Sequence, residues 1–363
     1  MTQTTDLLDH LAEIVPGSPL AEARAVREAA TKHAQGSYEV LFTAEDRDFP
    51  LSWRLALAQQ IAAWHQDERL SAHYASRAGE QPDSEKYHLA VAHAETLTFT
   101  PAASGPQHLQ KLQKAGWRED TVVTLSQLIA FVSFQSRLLT GLRLLNNQQI
   151  SSSARPAIAA VWHTTPETVS GRKAPVAFTQ QALGWEPWIA AKPLAEFNAV
   201  EQATLAKFGH SDSDYFRLLG RNLPLLEQRT LTDKGIFYTA NGLPRAEREL
   251  AAAVASKVNG CIFCASVHAR KASQLSKKSD AVQQLIDTPP GKPLQGNQTP
   301  RWQAVIAFAA ALSSTPHSLG AEQLAPLREA GLDELALLDL VQSAAFFAWA
   351  NRLMLTLGEP FVP

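Results

Sequence analysis

Apolar positions recur along this chain mostly three and four residues apart, in runs broken by Gly, Pro and Asn. That spacing is the helical one. "AERELAAAVASKV" (246–258) is built from strong helix formers and predicts a helix. Asn259-Gly260 supplies residues that end a helix and turn the chain, so the cysteines that follow open the next helix. "RWQAVIAFAAALSS" predicts a helix that stops at Thr315-Pro316, and "LGAEQLAPLREAGL" one that ends at Gly331. "DELALLDLVQSAAFFAWANRLMLTLG" predicts a long apolar helix behind an Asp N-cap. No stretch alternates with period two, and the expectation is an all-α protein.

The pattern is written twice. Residues 49–78 align without a gap on 243–272 at an offset of 194, with Pro50 on Pro244, Arg54 on Arg248, Ala58 on Ala252 and Ala75 on Ala269. Residues 94–142 align on 309–357 at an offset of 215. There Thr100-Pro101 meets Thr315-Pro316, Ala115-Gly116 meets Ala330-Gly331, Phe131 meets Phe346, and Arg137-Leu138 meets Arg352-Leu353. Composition alone does not match Pro, Gly, Phe and Arg in one register, so the reading is an internal duplication. The second copy carries about 21 extra residues, placed in "SKKSDAVQQLIDTPPGKPLQGNQTP", which reads as a surface loop. The expected division is a first helical domain over 1–150, a linker and packing segment over 151–200, and a second helical domain over 201–363. The stretch from 148 to about 175 is polar with Ser, Pro and Gly, and the two tryptophans of "FTQQALGWEPWIAAKPLAEF" predict an apolar contact between the halves.

With 45% hydrophobic and 19% charged residues in 363, the composition is that of a globular protein with ample core material. A net charge of −2 gives no electrostatic footprint for nucleic acid or an anionic membrane surface. No uninterrupted apolar run approaches the roughly 20 residues of a spanning helix. The opening "MTQTTDLLDHLAEIV" has neither an initial basic cluster nor an apolar core, so no signal peptide is expected and a cytoplasmic location is the default. In that reducing compartment a close cysteine pair points to catalysis or metal binding rather than a structural disulfide.

Both cysteines lie in "VNGCIFCASVHARKA" (258–272). Cys261 and Cys264 are three apart, and His268 is four beyond Cys264, which sets two sulfurs and an imidazole on one helix face. In a helical hairpin that turns at 259–260, Glu249 lies opposite the region 268–270. Such a group suits thiol peroxidation. One thiolate attacks, a base keeps it ionised, a second thiol traps the sulfenic acid, and a carboxylate orients the base. The helix N-terminus favours ionising Cys261. The imidazole favours Cys264, and a direct base outweighs a partial charge. Arg137 and Arg352 recur in both copies, including the one without thiols, and are read as structural.

The spacing Glu249, eleven residues, Cys261, two residues, Cys264, three residues, His268, with the Asn-Gly turn, resembles the signature of alkylhydroperoxidase D-like proteins. These belong to the carboxymuconolactone decarboxylase superfamily, and the likeness is to its peroxidase-related branch. The resemblance implies an all-helical fold and reduction of organic hydroperoxides without a cofactor. It assigns Cys264 as the attacking thiol, Cys261 as the resolving thiol, His268 as the base and Glu249 as the relay carboxylate. A small dithiol or a dithiol-bearing protein would regenerate the thiols. Some members carry a histidine before the second cysteine, where this chain has Phe263. The first half resembles a degenerate copy, with Leu55, Asp67, Leu70 and Tyr74 at the four motif positions. It would stand in for a neighbouring subunit, giving a pseudo-dimer that assembles further into a dimer or trimer of such units.

Other readings of the cysteine pair remain open at this level. They are a disulfide reductase or exchange protein with a non-peroxide substrate, a non-redox carboxymuconolactone decarboxylase-like enzyme, a binding module, a metal clip, or two buried apolar fillers.

Overall fold

The computed structural model describes residues 6–43, 45–80, 82–162 and 165–363. It is an all-helical protein, with one two-stranded ribbon as its small exception. In the first half the main helices run Glu28–Thr43, Leu51–Trp64, Glu68–Ala75, Glu85–Phe99, Pro106–Lys114 and Glu119–Leu145. In the second they run Leu223–Phe237, Arg245–Asn259, Ile262–Ser276, Pro300–Ser313, Leu324–Glu329 and Glu334–Leu357. The helix ends follow local chemistry. Asp333 caps the last helix by accepting from the Ala336 amide at 2.8 Å, and Gly260 takes the left-handed conformation that closes Arg245–Asn259.

The two longest helices, Glu119–Leu145 and Glu334–Leu357, pack on each other and form the centre of the core. Phe134 stacks on Trp349 at 5.5 Å, flanked by Phe131–Trp349 at 5.1 Å and Phe134–Phe346 at 6.1 Å. Glu119–Leu145 is long and apolar enough to cross a membrane by length and composition, yet 94% of its most apolar window is buried inside this fold. Two arginines reach across the seam in mirrored fashion. Arg137 donates to the Ser313 carbonyl at 3.2 Å, and Arg352 to the Thr98 carbonyl at 2.9 Å. Residues 98 and 313 are themselves 215 apart, as are the arginines. Within each half the motif arginine holds the preceding turn, Arg54 on the Phe49 carbonyl and Arg248 on that of Leu243.

Two expectations need correction. Period-two alternation is absent, but Gly184–Pro187 pairs antiparallel with Gly358–Phe361. Each strand has four residues and contains a proline, too short for any periodicity to register. The extra segment of the second half is also not only a loop. Ser279–Ile286 is a helix that buries Val282, Leu285 and Ile286. The Pro and Gly that follow it mask its apolar spacing in the sequence. The polar stretch after residue 148 does lack helices among its described residues, but it is tied down. Ala160 donates to the Lys257 carbonyl and Ala159 to that of Lys292. The tryptophans beyond it are held at the end of the last helix, Trp185 on the Met354 carbonyl and the Trp188 amide on that of Leu357.

Candidate active site

Two antiparallel helices carry the motif. Arg245–Asn259 brings Glu249, the turn at Gly260 reverses the chain, and Ile262–Ser276 brings Cys264 and His268, with Cys261 as its N-cap residue. The turn is tight because Gly260 has φ 79°, and a Cβ there would stand 2.6 Å from the Cβ of Ala102 in the first half. The Cys261 amide donates to the Ser256 carbonyl at 2.8 Å, which fixes the first sulfur relative to the preceding helix.

Glu249 and His268 meet as the spacing predicts. The His268 Nδ1 lies 2.5 Å from Glu249 Oε2, and Arg245 Nε donates to Oε1 at 2.6 Å. Burial pushes the Glu249 carboxyl up. The His268 hydrogen bond and charge, with Arg245 and Lys271, outweigh burial and hold it below the usual glutamate range. An ionised carboxylate at Nδ1 places the ring proton there, which leaves Nε2 of the neutral ring as the acceptor. The imidazole is fixed further by an edge contact with Phe347 at 4.3 Å.

The sulfurs differ in setting. Both are free thiols and both are buried. Cys264 and His268 line a cavity of about 650 Å³, whereas Cys261 and Glu249 stand behind its wall. Burial raises the Cys261 thiol well above the ordinary range, contact with Cys264 adds to this, and a hydrogen bond from Asn351 opposes it. Cys261 therefore does not gain the low-pKa character that a helix N-terminus alone would give. Asn351 belongs to a buried chain in which Asn259 Nδ2 donates to Asn351 Oδ1 and Asn351 Nδ2 donates to Ser256 Oγ, each at 3.0 Å. Among the described residues no group of three or more His, Cys, Asp or Glu side chains is placed to hold a metal ion.

The cavity wall is rich in aromatic rings, among them Trp185, Tyr215, Phe263 and Phe346. Phe263 and the tryptophan-bearing segment thus line one pocket. Asp233 and Arg229 also face it, from the helix Leu223–Phe237. Burial pushes the Asp233 carboxyl up, with Arg229 and His268 opposing. Sequence reasoning missed Asn351, Arg229, Asp233 and Tyr215. They lie on other elements, at no fixed spacing from the cysteines. A depression of about 710 Å³ opens elsewhere, between Gly36, Arg47, Arg118 and Gln228, and none of Glu249, Cys261, Cys264 and His268 lines it.

The corresponding place in the first half is filled. Leu55 and Leu70 are core residues, Asp67 caps Glu68–Ala75, and Tyr74 donates to Gln135 at 2.5 Å. The space beside Tyr38, Phe134 and Gln135 is only about 10 Å³.

Residues 224–288, which span the motif, match the model of the Carboxymuconolactone decarboxylase family. Among solved structures, the chain is similar to the alkylhydroperoxidase AhpD core of an uncharacterized peroxidase-related protein from Ralstonia eutropha JMP134. That similarity has 21% identity and a TM-score of 0.39 over 47% of this chain and 90% of the other. It is also similar to an uncharacterized peroxidase-related protein from Silicibacter sp. TM1040, at 21% identity and a TM-score of 0.36, over 45% of this chain and 86% of that one. A comparison with curated proteins finds no match.

Proposed function

We propose, from the site geometry and from the match of residues 224–288 to the model of the Carboxymuconolactone decarboxylase family, that this protein is a thiol oxidoreductase that reduces organic hydroperoxides through Cys264 and Cys261. The observation that carries the reading is the division of the site by its wall. The thiol and imidazole of Cys264 and His268 open on the cavity, and their supports Cys261 and Glu249 lie behind it.

In this mechanism His268 takes the Cys264 proton through its free nitrogen, while Glu249 stabilises the imidazolium. The thiolate attacks the terminal oxygen of ROOH. The S–O bond forms, the O–O bond breaks, and the departing alkoxide takes the proton from His268 to leave as ROH. Cys261 then attacks the sulfur of the sulfenic acid, giving the Cys261–Cys264 disulfide and water. Cys261, held protonated by burial, loses its proton to the departing hydroxide in that step. A small dithiol, or a dithiol carried on a protein, returns the pair to thiols and is itself oxidised to a disulfide. A reducing cytoplasm would keep the pair ready between turnovers.

The test is stopped-flow oxidation by cumene hydroperoxide. The wild type should form the disulfide with loss of two thiols, Cys261→Ser should accumulate a sulfenic acid that dimedone traps, and Cys264→Ser should do neither. Oxidation no faster than that of a free thiol would remove the peroxidase reading. Phe263, in place of a polar relay residue, then favours exchange with a disulfide substrate, measurable by the same thiol count.

A further inference from the structure

Arg229 is not used by the chemistry above, and its setting is unusual. The residue is only 6% exposed and lines the cavity from the helix Leu223–Phe237. Its guanidinium carbon stands 5.2 Å from the Phe346 ring centre, 5.7 Å from Trp349 and 5.9 Å from Tyr215. Its Nε is sealed from solvent without a partner, and no hydrogen bond or ion pair engages the side chain among the described residues. Asp233, one helical turn on, stays outside ion-pair distance. The Tyr215 hydroxyl in the same cavity is likewise buried without a partner.

A buried cation with no carboxylate in ion-pair contact is costly, and aromatic faces and the more distant Asp233 offset only part of that cost. The other arginine of the cavity, Arg245, is already committed to Glu249. Arg229 is thus a charged donor held ready for something that enters the cavity. We propose that Arg229 and the Tyr215 hydroxyl bind the carboxylate of an otherwise apolar hydroperoxide, so that the preferred substrates are hydroperoxides of carboxylic acids. This rests on the peroxidase reading and names the substrate class of the same site. One guanidinium and one hydroxyl match the two oxygens of a carboxylate. A phosphate dianion would need more positive charge, and Asp233 nearby works against it. A cavity of about 650 Å³ exceeds the need of hydrogen peroxide and suits an extended apolar body along the aromatic wall.

The experiment compares linoleic acid hydroperoxide with its methyl ester, below their micellar concentrations, with the full chain and a chemical dithiol. Wild type should favour the acid about tenfold or more in kcat/KM, the factor one charge-assisted hydrogen bond supplies. Arg229→Met should bring the acid-to-ester ratio to about one, and Arg229→Lys should restore part of it. Equal kcat/KM for acid and ester in the wild type overturns the proposal without any variant having to fold. A ratio that survives in Arg229→Met overturns it as well. A separate measurement stands apart from peroxidase activity, namely calorimetric binding of linoleic acid and methyl linoleate to the dithiol protein. If no hydroperoxide oxidises Cys264, the peroxidase reading falls. Tighter binding of the acid, lost in Arg229→Met, would still support the carboxylate site, and equal binding of the two would remove it.

Discussion

Glu249 is fully buried and still ionised, because one oxygen meets His268 and the other meets Arg245. Glu249→Gln keeps the shape and removes the charge that stabilises the imidazolium. The expected result is about a hundredfold slower oxidation of Cys264 by peroxide, read by stopped-flow fluorescence. Since the folded carboxyl lies below its ordinary range, its stabilising contribution is present above the unfolded value and is lost as pH falls through the folded one. Glu249→Gln should therefore lower the denaturation midpoint at pH 7 and lose that effect at strongly acidic pH. Asp67, which occupies the position of Cys261 in the first half, shows the opposite sign. Burial pushes its carboxyl up to about 6 from 3.8, one oxygen caps the Leu70 amide, and the other has no partner. The ionised form is then a liability of about 3 kcal/mol above pH 6, which disappears below the unfolded value. Asp67→Asn retains the cap, and its stability relative to wild type should be more favourable at pH 8 than at pH 4, measured by thermal melts at both. A pH-independent difference would contradict the charged, desolvated state assigned to Asp67.

The hairpin Arg245–Asn259 and Ile262–Ser276 is the element on which the site depends, and it is also the part most legible in the sequence. Cys261, Cys264, His268 and Glu249 lie within twenty residues, on two helices joined by one turn, so helical periodicity alone brings them together. Asn351, Arg229, Asp233 and Tyr215 enter from the last helix and from helices before the motif. Their places are set by how whole helices pack, which no local spacing encodes. Two further misses are local: the prolines and glycines that follow Ser279–Ile286 mask that helix, and the two four-residue strands at the cavity edge are too short to show a period. Gly260 links both levels. Its positive φ closes the first helix, and Ala102 of the other half packs where a side chain would sit. Gly260→Ala should cost about 2–3 kcal/mol from the left-handed backbone and the contact combined. Because the Cys261 amide is hydrogen-bonded across that turn, peroxide-driven disulfide formation should slow along with the loss in urea midpoint. An unchanged midpoint would mean the turn relaxes freely.

Across the whole molecule the halves are joined by arginine–carboxylate contacts that need not be worth the same. Arg27 of the first half donates to Asp339 on the last helix at 2.7 and 2.9 Å. Asp339 also accepts from the Leu243 amide at 2.9 Å and faces Arg248 at 3.1 Å, and all three charged side chains are buried. Arg221 of the second half sits 194 positions after Arg27 and reaches back to Glu119 and Asp120 on the other long helix, each at 2.7 Å. There, the carboxylates are 44% and 56% exposed, so water already solvates them. Removing one partner from the buried set leaves two guanidinium groups without their anion, a loss of about 3–5 kcal/mol. Removing Arg221 gives up a screened surface pair, about 1 kcal/mol or less. Asp339→Asn should thus lower the urea midpoint far more than Arg221→Ala does, although both cut an arginine–carboxylate link between the halves. Asp339 joins Arg27 directly to the arginine that holds the turn ahead of the motif helices, so Asp339→Asn should also slow peroxide-driven disulfide formation while Arg221→Ala should not. Equal midpoints for the two variants would show that the buried cluster is not what couples the halves to the site.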